Sequence, residues 1–475
     1  MTTPLWTFTE LAEATGGTFV GVGEGGATEA NGLNFDSRGL APGDIFLALQ
    51  GARDGHDFVP AAFQSGAVVA ITRRPVAGGP CLLVPDVLRA LEDLAVFARN
   101  RAHGARRGAV TGSVGKTSVT QMVMQGLKRA GRAHSAIKSF NNHIGVPLTL
   151  ARMPADTQRA VFEIGMNHAD EITPLSEFVA PHAVAITTVG AVHTENFPDG
   201  EAGVAAAKAE IFDGLLPGGL AILNADNQWF DFLAQRARGA GALVAAFGEG
   251  GGNDAQLVSH LVNGANNGQE RAEIEGRLHG RPLTFTLAHT GRHQALNAMA
   301  SLLMLEALDV DLDTAIAALE GFEALDGRGK VVTKRFKGGE LVIIDESYNA
   351  NPVSMTATLH SLGARARGKG GRKIAVLTDM LELGPDARDL HAGLAPVIEG
   401  LDVDRVYAAG PLMKSLWDAL PARLKGAYAG SAAELNGPLQ EDLQSGDVVM
   451  IKGSNGSKAG LIAKALIAAD EDSQA

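Results

Sequence analysis

The sequence predicts an α/β protein of three domains: a small N-terminal α/β domain, a central P-loop domain with a mostly parallel sheet, and a C-terminal Rossmann-like domain. Three observations point there. The chain has 475 residues, too many for one hydrophobic core, and a length of this kind carries roughly two to four domains. Short apolar runs alternate with helical patterns through residues 101–320, the signature of strands joined by crossover helices. The alternation then restarts after residue 322, where four apolar runs each end in a polar loop. The expected boundaries are 1–103, 104–321 and 322–475.

Composition narrows the function classes. Net charge is 41 − 53 = −12, with no basic block, which argues against nucleic acid as the main partner. Cys81 is the single cysteine, so neither an intramolecular disulfide nor a cysteine metal cluster is possible, and a reducing cytoplasm fits. The start, MTTPLWTFTELAEATGG, lacks a cationic segment followed by an apolar run, so no secretory signal is read. No apolar stretch approaches membrane-spanning length, so no membrane insertion is expected.

In the first domain, Phe8 to Ala14 and Val59 to Gln64 read as helices, and Asp44 to Leu49 and Ala67 to Ile71 as strands. Its loops carry Asp36-Ser37-Arg38 and Asp54-Gly55-His56. These residue types make turns in any protein, and they equally suit an anionic ligand.

The central domain holds the stretch around which the chain is organised, AVTGSVGKTSVT, Ala109 to Thr120. An apolar lead-in enters a turn bounded by Gly112 and Gly115, and Lys116 and Thr117 open a helix with Val119, Met122, Val123 and Leu127 on one face. Gly112, Ser113, Gly115, Lys116, Thr117 and Ser118 together form a phosphate cradle. Glycines let backbone N–H groups approach an anion, the helix N-terminus favours negative charge, Lys116 adds a cation, and Thr117 can reach Mg²⁺. The spacing is shorter than the usual G-x-x-x-x-G-K-[ST]. Ala160 to Ile164 and Ala183 to Val189 read as buried strands, with Glu163 near the end of the first and His193 in the loop after the second. Thr117, Glu163 and His193 all follow strand ends, where parallel sheets bind ligands, and a hydroxyl, a carboxylate and an imidazole can share divalent cations beside a triphosphate. Lys208 and Glu210 lie on a following helix; from the residues alone they read as a surface pair. Gly291 to Leu308 is a further helix, with His293 and Asn297 four apart on its first turns.

In the last domain, Leu341 to Ile344 ends in Asp345 and ESYNANP, Lys373 to Leu377 in TDMLELG, Arg405 to Ala409 in GP, and Val448 to Ile451 in KGSNGS. A Mg²⁺–nucleotide site faced by a second α/β unit leaves two classes open. One is a ligase or kinase for small molecules; the other is a mechanical NTPase acting on a partner protein.

The motifs TGSVGKTS, FEIGMN, VGAVHTENF, Lys208-Ala-Glu210, GRHQALN, Gly327-Arg328-Gly329 and Asp345 together resemble the Mur ligase family over essentially the whole chain. These are ATP-dependent enzymes that extend the peptide of the bacterial cell-wall precursor. DSRGLAPGDIFLALQGARDGHDF, NNHIGVPLTL, DESYNANP, DMLELG and KGSNGS have the flavour of the member that adds D-alanyl-D-alanine to UDP-N-acetylmuramoyl-tripeptide. A monomer is expected, and the resemblance implies acyl-phosphate ligation, ATP and two Mg²⁺ ions. It places Lys116 on the β/γ-phosphates, Thr117 and Glu163 on one Mg²⁺, and His193 with a carbamylated Lys208 on the second. His293 and Asn297 would lie by the adenine, Arg328 by the phosphates and Asp345 by the ribose. Ser37, Arg38, Asp54, Gly55 and His56 would meet the UDP, and Asn142 the sugar-peptide. Tyr348, Asn349, Asp379 and Ser454 would close over nucleotide and dipeptide. Val114, Gln294 and Thr378 depart from the family pattern, where Asn, Asn and Gly are usual. The sister enzyme adding diaminopimelate or lysine is set apart by the absence of an Asp-Asn-Pro-Arg stretch, and folylpolyglutamate synthase by the DSR and DGH loops.

Overall fold

The structure is a computed structural model, and it describes residues 4–23, 25–136, 140–192, 194–266 and 269–469, with the side chains of 263–266 and 269–270 left aside. Four sheets are formed among them.

The central sheet has nine strands in the order 281–287, 269–278, 255–266, 243–248, 220–224, 183–186, 106–111, 159–163, 133–135. Pairing is parallel from strand 133–135 to the start of strand 255–266, and the last three strands form an antiparallel meander. Strand 106–111 lies between 183–186 and 159–163, two strands that follow it in the chain. The chain therefore reverses direction across the sheet there, and a crevice opens at the strand ends. Both faces are covered. One apolar layer gathers around Val119, Met122, Val123, Leu127 and the helix Arg292–Ala307; the other packs Phe162, Ile186 and Phe212. Full burial on both faces explains why these strands read as continuous apolar runs.

The last domain is a six-stranded sheet, 330–336, 339–346, 448–452, 373–378, 405–409, 425–429, parallel except for the hairpin that begins it. It too is wound on both faces. Two of its strands escape the sequence reading. Lys330–Phe336, on an edge, has only half-buried and exposed positions, and so has the short edge strand Lys425–Ala429. Neither has the apolar run of a central strand.

The first domain carries a five-stranded sheet, 18–20, 81–83, 69–72, 44–47, 32–34, and a two-stranded one pairing Trp6–Thr7 with Glu29–Ala30. The expected strand Asp44 to Leu49 stops at Leu47, and the expected helix from Phe8 runs to Thr15 with Thr7 and Glu10 closing a capping box. Its core does not end at the domain edge. Leu148 and Ala151, on the central helix Gly145–Ala151, are fully buried members of it.

Candidate functional site

The strand Arg106–Thr111 delivers the chain into the turn at the crevice, and Gly112 and Gly115 shape it at φ +148° and +92°. A Cβ at Gly112 would collide with the Thr187 hydroxyl, and one at Gly115 would sit 2.7 Å from the Asn297 side-chain oxygen. Only glycine fits both points. The helix Lys116–Ala130 begins with no side-chain cap, so its first N–H groups face the crevice unclaimed by any side chain.

Beside that helix start, Glu163 is buried and both of its oxygens are engaged. Thr117 Oγ1 donates to Oε2 at 2.7 Å, and Asn141 Nδ2 donates to Oε1 at 2.7 Å. Lys116 folds back along the turn and donates to the Gly112 carbonyl at 2.6 Å. Burial pushes the Lys116 ammonium below its usual range, Glu163 opposes that, and Arg328 adds to it.

A cavity of about 420 Å³ opens here, walled by both large domains. Ser113, Gly115, Lys116, Thr117, Ser118, Glu163, His293 and Asn297 line it from the central domain. Arg328, Tyr348 and Asn349 line it from the other side. The Arg328 guanidinium stacks over the Tyr348 ring at 3.8 Å. His293 is pushed down to about 4, chiefly by burial and further by Lys452 and His260, so it is neutral at pH 7. Its buried Nδ1 has no hydrogen-bond partner among the described residues.

Other predicted residues stand behind or away from the cavity. The Gly112 carbonyl receives Lys116. Asp345, expected beside a ribose, gives its carboxylate to the Gly327 N–H at 3.0 Å, the Ser347 N–H at 3.1 Å and the Ser347 hydroxyl at 2.5 Å. Lys208 is not the surface residue that its helix pattern suggested: it is 2% exposed, with Met166 Sδ 3.7 Å from its Nζ. Nor does Glu210 pair with it. The Glu210 carboxylate takes the N–H groups of Asp170, Ile172 and Thr173. Burial and then the nearby Lys116 charge hold Lys208 well below the usual lysine range, with Glu210 opposing. His193 lies outside the described residues.

Asp379 accepts from the Met413 N–H at 2.7 Å, and Ser454 Oγ bridges the Leu381 N–H and the Ala350 carbonyl. Both order loops rather than line the cavity. In the first domain, Ser37 and Arg38 form a turn capped by Asp36, whose carboxylate pairs with the outward Arg38 guanidinium at 2.8 Å. His56 Nε2 accepts from the Arg73 N–H at 3.0 Å, so its Nδ1 carries the proton donated to Asp54 at 2.6 Å. Gly55 packs tightly against this turn, where a Cβ would come 2.7 Å from Leu49 N. Asn142 Oδ1 receives the N–H groups of Ile144 and Gly145 at the start of a helix.

Sequence reasoning missed Asn141, Thr187, Asn224, Phe247, Glu346 and Lys452, all on the cavity wall. Three of these had a signal. Asn141 adjoins Asn142, Glu346 adjoins Asp345, and Lys452 opens KGSNGS. Lys452 Nζ donates to the Asn349 carbonyl at 3.0 Å and sits 3.7 Å from Glu346; burial lowers the first group and raises the second. Among the departures, Val114 gives its carbonyl to the Thr187 hydroxyl, Gln294 Oε1 receives Asn297 at 3.1 Å, and the Thr378 and Ser457 hydroxyls bond at 2.6 Å. Each substituted side chain or its backbone is engaged.

Three family models match the chain in succession: the Mur ligase family catalytic domain over residues 29–95, the Mur ligase middle domain over 110–305, and the Mur ligase glutamate ligase domain over 327–455. A UDP-N-acetylmuramoyl-tripeptide--D-alanyl-D-alanine ligase of Bacillus subtilis is 34% identical, covering 93% of this chain and 94% of its own. Its counterpart of Rickettsia prowazekii is 29% identical, covering 92% of this chain and 96% of its own. The crystal structure of MurF from Acinetobacter baumannii superposes with a TM-score of 0.85 at 29% identity, covering 98% of this chain and 99% of that one. With the strand–turn–helix cradle, the two-domain cavity and all three matched models in chain order, this protein belongs to the Mur ligase family.

Proposed function

We propose that this chain joins D-alanyl-D-alanine to UDP-N-acetylmuramoyl-tripeptide at the expense of ATP, as its relatives of that name do. The observation that carries the reading is the meeting, in one cavity, of Lys116, the Thr117–Glu163 pair and Arg328 from opposite domains. A free carboxylate is a poor electrophile. Transfer of the γ-phosphoryl group to the tripeptide's terminal carboxylate oxygen releases ADP and creates an acyl phosphate. The dipeptide's amine then attacks the carbonyl carbon; the C–N bond forms, the C–O bond breaks and phosphate leaves with the electron pair. Lys116 and Arg328 neutralise the phosphate charge from two sides, and the uncapped helix start supplies N–H donors.

The donor set suits magnesium. Thr117 and Glu163 offer hard oxygens, and no ready-made cluster of three His, Cys, Asp or Glu occurs among the described residues. That is the pattern of an ion held partly by substrate phosphates and water. When bound, the ion supplies positive charge against the phosphate oxygens. Lys208 fits a carbamate for a related reason: its burial favours the uncharged amine, the form that adds CO₂, forming an N–C bond and releasing a proton. His193 is the proposed partner of that carbamate on a second ion.

By the same reading, residues 1–103 receive the UDP end of the precursor, with Ser37, Arg38 and the Asp54–His56 turn facing it and Asn142 near the sugar-peptide. Residues 104–321 bind ATP, with His293 and Asn297 toward the adenine. Residues 322–475 bring the dipeptide, with Tyr348 and Asn349 on the cavity wall. A phosphate-release assay offering D-alanyl-D-alanine, D-glutamate, diaminopimelate and L-glutamate, each with its matching acceptor, tests this. Release should depend on D-alanyl-D-alanine with the tripeptide precursor; release with another pair, or with ATP alone, would overturn it.

A further inference from the structure

The cavity wall contributed by the last domain holds an arrangement that the phosphate chemistry needs and no assignment above explains. Arg328 points into the cavity, and no carboxylate among the described residues lies within ion-pair distance of it. Its guanidinium carbon lies 3.8 Å from the centre of the Tyr348 ring, and its charge is felt by the buried Glu346 on the same wall. An arginine can be positioned in two ways. A carboxylate fork would fix it, but would consume its N–H donors and cancel its charge. An aromatic face fixes the plane of the guanidinium while leaving the donors at its edge and the full charge available.

The ring is itself held. Gly327 takes φ +73°, and a Cβ there would lie 3.0 Å from Tyr348 Cβ and backbone N, so only glycine lets the two segments close. Tyr348 N–H donates to the Gly327 carbonyl at 3.0 Å, and Gly329 N–H donates to the Asp345 carbonyl at 2.8 Å. The Asp345 carboxylate receives Gly327 N–H on one oxygen and the Ser347 N–H and hydroxyl on the other. The turn carrying the arginine and the loop carrying the tyrosine are thus sewn into one unit at the end of the strand Gly339–Glu346. Tyr348 nevertheless remains 41% exposed, a large aromatic left at a cavity edge with one face covered by Arg328.

We propose that Tyr348 is a positioning residue for Arg328: its ring holds the guanidinium against the wall of the cleft with its donor edge presented to the nucleotide phosphates. Asp345 supports this unit from behind. The inference rests on the nucleotide reading above and adds to it a residue that acts through another.

Calorimetric titration of Mg²⁺ with a non-hydrolysable ATP analogue separates the possibilities. Tyr348→Ala should weaken binding about three- to thirtyfold, the range of a partly desolvated cation–π contact. Tyr348→Phe should restore most of that loss, because the ring and not the hydroxyl does the holding. Arg328→Ala should weaken binding, and adding Tyr348→Ala to it should cost nothing further. Additive losses in the double variant would overturn the inference, since Tyr348 would then contact the ligand itself. A Phe variant as weak as the Ala variant would overturn it too. If Tyr348→Ala lowers the unfolding midpoint, Tyr348→Leu keeps the bulk without the π face and should show the same loss of affinity. Wild-type protein that fails to bind the analogue would instead remove the nucleotide reading, and this inference with it.

Discussion

The two junctions between domains are built on opposite principles. At the first, the N-terminal and central units share a core: Leu148 and Ala151 of the central helix are buried among Trp6, Leu11, Leu33 and Leu94. Trp6 Nε1 donates to the Ala151 carbonyl at 2.9 Å, Arg101 stacks on the indole at 4.0 Å, and Arg152 reaches the Leu33 carbonyl at 2.7 Å. At the second, the central and C-terminal units face each other across a cavity of about 420 Å³ whose walls carry two lysines, two glutamates, an arginine and a histidine. Direct ties there include Arg365 Nη1 to Thr290 Oγ1 at 2.9 Å and Gly384 against Glu195. A shared apolar core makes two units one body; a polar cleft lets them part and admit a charged ligand. The difference leads us to expect motion at the second junction and rigidity at the first.

The largest effect expected is at the cleft. Lys116→Ala should abolish ligation, a loss of about 10³-fold or more, because phosphoryl transfer here depends on neutralising charge. Phosphate release is the measurement, and near-normal turnover would remove the assignment of the phosphate site. Lys208→Ala should lose most activity and regain part of it when short carboxylic acids are added, since a free carboxylate would stand in for the proposed carbamate. Absence of rescue would count against carbamylation.

At the rigid junction the matching experiment reads stability. Trp6→Ala removes a fully buried indole and its hydrogen bond, and should cost about 3–5 kcal/mol. Urea denaturation followed by fluorescence of the remaining tryptophans checks this. An unfolding midpoint within error of wild type would mean that the first junction does not bind the two units together.

The junctions also differ in how far the sequence disclosed them. The cradle was legible because its chemistry is local: glycines, a lysine and a threonine within six positions, after a strand and before a helix. Glu163 was legible for a similar reason, lying at the end of a buried strand beside the first. Lys208 was not, because a helix of alanines shows no face on which a lysine would be read as buried. Glu346 and Lys452 are 106 positions apart in the chain and neighbours only because their strands pair, so no pattern along the sequence could join them. The loops with Asp54, Asp379 and Ser454 were read as ligand-shaped, and the structure finds their side chains engaged in holding turns. Turn chemistry and ligand chemistry use the same residues.

The smallest effect predicted is also the one that most sharpens the comparison, because it asks the second junction to open without any substitution. His289 and His293 flank the cleft, and each is pushed down to about 4, burial being the first cause. His289 is 2% exposed and lies against Gly329 and Glu346 of the other side, so parting of the two units would return it to water. Opening then raises these groups toward the usual 6.5, and the open form binds more protons between pH 6.5 and 4. The sign of the histidine contribution follows: it favours closure fully above pH 6.5 and is lost as pH falls through that window, by roughly 1 kcal/mol per unit for each histidine, while the facing Glu346, raised by burial, works against it. Small-angle scattering at pH 7.5 should give a smaller radius with ATP analogue and precursor than without them, and at pH 5.5 the ligand-free protein should be larger still. A distance probe across the first junction should stay fixed in all of these conditions, because a shared apolar core takes up no proton when it holds. Equal profiles at both pH values and with or without ligand would mean that the polar cleft is as rigid as the apolar junction, and the contrast between them would carry no motion.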